Sequence, residues 1–166
     1  MNRGIIMLSV GSKIFVPSYG AGIVSTVEFR KVYDTIYKFV DVKMMIDNIS
    51  LSIPVSRIEA YRVREIVTKD RLEKCLYIIS LECDKIEKKW NKRYRQNNDK
   101  IYNGTLEGEC EVLRDLYHLR RKGLMPPGEQ KILDKAEALI ASETMLVLDI
   151  TLKEAYEIIR NLDKNS

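Results

Sequence analysis

The sequence predicts an α+β protein in two parts, a small, strongly bent β barrel followed by an all-α bundle of about five helices. Three observations predict it. Residues 1–62 are rich in β-branched and aromatic side chains that alternate with period two. After residue 67 the apolar spacing changes to the 3-4-3 rhythm of a helix face. The chain has 166 residues, 45% hydrophobic and 31% charged, with 8 Gly and 4 Pro, enough for one ordinary domain or two small ones. The expected boundaries are a β module over 1–62, a connector over 63–69 and a helical module over 70–166.

Within the first module, Lys13–Pro17 reads as a short strand and Ser18–Gly22 as a glycine-bearing turn. Ile23–Phe29 alternates cleanly, Tyr33–Val42 is a longer strand, and Asp47-Asn48 signals a turn. Ile49, Leu51 and Ile53 then alternate with serines up to Pro54. Four or five short strands in this length suit a bent barrel, because a sandwich needs more strands and more chain.

In the second module, Thr68 is placed to cap a helix through Leu72, Cys75, Leu76 and Ile79. A second helix is expected from the mid-80s to Asn103, with Gly104 as its stop. Thr105 opens a third, through Cys110, Leu113 and Leu116, ending in Arg120-Arg121-Lys122 and Gly123. Pro126-Pro127-Gly128-Glu129 starts the longest helix, and Asp149 or Thr151 caps a last one through Tyr156 and Ile159.

Several function classes are excluded or disfavoured. Uninterrupted apolar runs reach five residues, against the roughly 20 of a membrane span, and no leader of adequate length is visible, so a cytoplasmic protein is expected. Cys75, Cys83 and Cys110 have neither disulfide-framework nor zinc spacing, and the single His118 has no cysteine close by, so no metal or other cofactor is expected. Glycine-rich phosphate loops and a nucleophile elbow are missing, and His118 sits among basic residues on an amphipathic helix, a poor place for a general base. A binding protein with no small-molecule substrate is the expectation.

The strongest electrostatic feature is Lys85–Lys100, with seven basic groups against Glu87 and Asp99. On one continuous helix, Ile86, Trp90, Tyr94, Asn97 and Ile101 share a face, which permits two readings. In one, favoured by periodicity alone, Trp90 anchors the core and the cations form the wet face of an amphipathic helix. In the other, the helix starts near Trp90, the indole protrudes from its first turn, and the surrounding cations bind phosphates while the ring wedges into a minor groove.

The chain from about Leu8 to Leu162 resembles the CarD/CdnL family of bacterial transcription regulators. The motifs that carry the resemblance are Val10–Val24, Trp90–Ile101, Val112–Leu116 and Gly123–Ala136, in this order and spacing. The first motif alone is shared with the polymerase-binding module of transcription-repair coupling factors. The resemblance implies a Tudor-like barrel that docks on the β subunit of RNA polymerase, and a helical domain that meets promoter DNA and favours the open complex. It places Trp90 as the wedge and Lys92, Arg93 and Arg95 as adjacent DNA contacts; Lys88 and Lys89, among the cations around the ring, are expected to contact DNA as well. It places Arg30 as a polymerase contact, with Leu51, Ser52, Ile53 and Pro54 as the neighbouring edge. The family has a second basic residue where this chain has Ser52. Residues before Leu8 lie outside the pattern and are candidates for disorder. The alternative function is a protein–protein adaptor, tethered to polymerase, whose helical half binds another protein rather than DNA.

Overall fold

The computed structural model describes residues 6–83 and 85–164. Five strands come first: β1 (Lys13–Val16), β2 (Gly20–Val32), β3 (Thr35–Met44), β4 (Ser50–Pro54) and β5 (Arg64–Glu65). Five helices follow: α1 (Lys69–Ile79), α2 (Trp90–Asn103), α3 (Leu106–Arg121), α4 (Gln130–Leu148) and α5 (Leu152–Lys164), with 3-10 turns at Val55–Arg57 and Pro127–Glu129. The α+β class and the two-part order are therefore as the sequence predicts.

Among the described residues the sheet is antiparallel in the order β4-β3-β2-β1-β5, and it is not closed. The expected barrel is corrected to an open, five-stranded sheet. β5 is two residues long and pairs only with Ile14 and Phe15 of β1, so no ladder joins it to β4 at the far edge. The sheet's own core is small: Ile14, Val16, Val24, Val40, Val42, Met44, Ile53, Ile58 and Val63. The β2–β3 hairpin runs past this core, and its turn falls at Tyr33, with φ of 55°, where the sequence suggested a strand start. Residues 1–5, to which part of the expectation of disorder applies, lie outside the described residues; Ile6 and Leu8 pack against the sheet core.

The stretch expected as a connector carries β5, and the two modules are not merely joined in sequence. Phe15 and Ala21 of the sheet belong to the same buried cluster as Leu72, Leu113, Leu133 and Ile140 of the helices. Burial of apolar surface is the main stabilising term in folding, and here it is continuous across the junction. Polar groups complete the seam. Arg64 donates two hydrogen bonds to Glu143 of α4, at 2.6 and 2.9 Å, and a third to the carbonyl of Gly104 at 2.9 Å, while lying over the Phe15 ring. The Ala21 amide donates to the Ser142 hydroxyl at 2.9 Å. Gly20 makes that approach possible, since it has φ of 94° and a Cβ there would meet Ser142 Oγ at 2.7 Å.

Helix ends follow local chemistry closely. Thr68 and Thr105 accept from the amides of Arg71 and Gly108, and Thr151 forms a reciprocal capping box with Glu154. Gly104 and Gly123 adopt positive φ at the helix ends they terminate. Among the described residues no helix is long and apolar enough to cross a membrane.

Candidate nucleic-acid interface

The decisive local feature is where α2 begins. Residues 85–89 are not helical, and the first helical residue is α2's Trp90, with Lys89 as an N-cap that supplies no side-chain capping hydrogen bond. An indole at the first helical position has no preceding turn to lie against, and 56% of it is exposed. The core-anchor reading of Trp90 is thereby corrected. Ile86 is not on the helix, and the face that sequence periodicity assembled divides into two. Arg93, Asn97 and Ile101, spaced by four, are buried. Trp90, Tyr94 and Tyr102, with Asn98 between them, form an exposed row at the same spacing.

Arg93 sets the rotation that separates these faces. It is 6% exposed, and its Nε and Nη2 donate to the two carboxylate oxygens of buried Glu129, both at 2.8 Å. Its Nη1 donates to the Glu87 carbonyl at 2.7 Å. A planar guanidinium satisfied on three sides ties the first turn of α2 both to the 3-10 turn before α4 and to the segment that precedes it. The expectation that Arg93 contacts DNA is corrected: its side chain is consumed inside the protein, one turn below the indole it supports.

The other cations behave differently. Lys88, Lys89 and Arg95 are exposed and form no salt bridge among the described residues. Lys92 is exposed but pairs with Glu87 at 2.9 Å, and Glu87 also accepts from the Lys89 amide. These two interactions, Lys92 first, hold the Glu87 carboxyl below its ordinary range. Lys131, in the first turn of α4, adds a further exposed cation beside Trp90. Only the packing of α4 against α2 reveals it, since it lies far along the chain from the basic segment.

The second expected site lies on the outer face of the sheet. Arg30 donates to Glu28 at 2.7 Å, to the Ser52 hydroxyl at 2.6 Å, and to Asp41. The Ser52 hydroxyl, with Arg30 and Thr26, holds the Asp41 carboxyl at about 2. Arg30 and Ser52 are thus brought together, 22 residues apart in sequence, in a polar lattice in which the cation is compensated. β4 is an edge strand. Along it Ser52 is exposed, Leu51 and Pro54 are half-buried, and Ile53 is 5% exposed and belongs to the core. Ile53 therefore has no side chain to offer a partner, which corrects its expected contact to at most a backbone one.

Against this geometry, the comparisons with known proteins are specific. The family pattern for the CarD C-terminal domain matches residues 74–160, which contain α2 and the whole cation cluster. The chain belongs to the CarD family. It is 30% identical over 149 residues to YdeB of Bacillus subtilis (strain 168), a protein named as a transcription factor, across 89% of this chain and 97% of the relative. CarD-family proteins are transcription regulators and not enzymes, and a transcriptional role follows for this member.

Proposed function

We propose that this CarD-family protein docks on the β subunit of RNA polymerase through its sheet and stabilises the promoter open complex through Trp90 at the upstream edge of the melted DNA. The observation that carries the reading is the exposed indole at the first position of α2, among exposed Lys88, Lys89 and Arg95. Cations around the ring neutralise phosphates without regard to sequence, while the ring opens a base step. The open form is favoured to the extent that the protein binds it better than the closed form.

Trp90→Ala is expected to shorten the lifetime of the open complex on a heparin-challenged promoter while leaving the thermal melt and polymerase binding unchanged. An unchanged lifetime overturns the reading. Retention on duplex DNA should also fall with salt, with a log–log slope of about −3 to −5 for three to five neutralised phosphates. A flat salt response favours the adaptor.

For docking, the edge formed by β4 and the Arg30–Asp41–Ser52 lattice supplies backbone groups and a fixed polar pattern. Arg30→Ala is expected to weaken capture of the polymerase β subunit and to leave DNA retention as it was. Equal capture by the variant and the parent protein places docking elsewhere.

A further inference from the structure

Beside the indole lies an open hollow of about 690 Å3 between α2 and the start of α4, which nothing in the wedge mechanism uses. We propose that this hollow receives one unstacked nucleotide of the opened DNA. The proposal rests on Trp90 acting as a wedge, because a step that the wedge unstacks exposes a base face that an adjoining ring and hollow can take up.

The lining has the chemistry for that ligand. Trp90 and Tyr94, on successive turns of α2, both border the hollow and are 56% and 41% exposed, which presents two flat rings to a base. Nothing in the fold of α2 requires them to be aromatic, since its buried contacts come from Arg93, Asn97 and Ile101. Asn91 and Asn98 add amides at the same surface. The Asn98 Nδ2 donates to the Tyr94 carbonyl at 3.0 Å, which orients the amide and leaves its oxygen as an acceptor for a base N–H. Arg95 from α2 and Lys131 from α4 supply positive charge for the flanking phosphates. Asp99, also at the hollow, repels phosphate but accepts from the N–H groups of a base edge, so it favours a base over the backbone at its end. Gly128 keeps the other side open: a Cβ built there meets nothing within 4 Å.

The test uses the full chain and its single tryptophan as a fluorescent probe, titrated at low salt with three oligonucleotides. One is a fully paired duplex, one carries a single unpaired nucleotide, and one has an abasic site at that position. The expected result is binding to the unpaired nucleotide about fivefold tighter than to the duplex, the lower end of what stacking one base on an aromatic ring contributes, with no gain for the abasic DNA. Gly128→Leu fills the hollow at a backbone conformation that tolerates a side chain, so it should remove the preference and keep the duplex affinity. Asn98→Ala should reduce the preference with the same duplex affinity. Equal binding of duplex and unpaired DNA, an equal gain from the abasic site, or a preference that survives Gly128→Leu overturns the proposal and leaves the wedge standing. No binding to any of the three overturns both.

Discussion

Replacing Arg93 by alanine is expected to lower unfolding stability by about 3–5 kcal/mol, the range for removing one partner of a buried ion pair. The size follows from what is left behind. Glu129 is fully buried, and both of its carboxylate oxygens accept from Arg93. Without the guanidinium a buried carboxylate loses its compensation, and the Glu87 carbonyl loses its donor. Chemical denaturation checks the stability. Trp90 fluorescence should change as well, because the first turn of α2 loses the tie that orients it. Arg93→Met combined with Glu129→Leu should recover most of the lost stability, since apolar groups of similar volume replace a buried pair at little net cost. A surface phosphate contact behaves in the opposite way: its removal leaves denaturation untouched and reduces the salt slope for DNA by about one. That outcome would return Arg93 to the DNA-contacting set.

Glu109→Gln is expected to stabilise the protein at neutral and alkaline pH, by about 1–3 kcal/mol, because each pH unit over which folding must keep this carboxyl protonated costs about 1.4 kcal/mol and an amide needs no proton. Glu109 is fully buried in α3, and neither carboxylate oxygen has a hydrogen-bond partner among the described residues. Burial, reinforced by the nearby Glu143 carboxylate, pushes its carboxyl well above the ordinary range, and Arg64 only partly offsets this. Its folded-state pKa therefore lies above the unfolded value of about 4.5. The unfolded chain gives up this proton first, so the contribution to stability is full below about pH 4.5 and declines as pH rises through the folded-state value. Denaturation midpoints measured from pH 4.5 to 8 should fall with pH more steeply for the parent than for Glu109→Gln. Parallel profiles for the two proteins would show that Glu109 finds a partner in solution. The position matters because Glu143 also receives Arg64 and the Val67 amide, the polar part of the seam between sheet and helices.

Much of this fold can be read from local chemistry. The change from period two to 3-4-3 separates sheet from helices, and Thr68, Gly104, Thr105 and Gly123 mark helix ends where capping chemistry demands them. Such signals depend on a few neighbouring residues, so they survive without knowledge of the whole. The start of α2 does not. Asp84 to Glu87 permits a helix, and what the chain does over 85–89 instead is bound to Arg93, whose partner Glu129 is 36 residues further on. Opening the barrel is similar in kind, because closure depends on how much of 63–69 can pair, and that segment is drawn into β5 and the helical core.

By itself the sequence determined the classes of structure, the concentration of positive charge around one tryptophan, and the resemblance that carries a transcriptional role. Only the tertiary structure decided which way that tryptophan points and which cations remain available to phosphate. The reason is that a helix face is defined by rotation about its axis, and a period of 3.6 residues is blind to that rotation when both an aromatic and an arginine can face inward. Burial of Arg93 against Glu129 made the choice, turning α2 so that its charged residue lies inside and its indole outside.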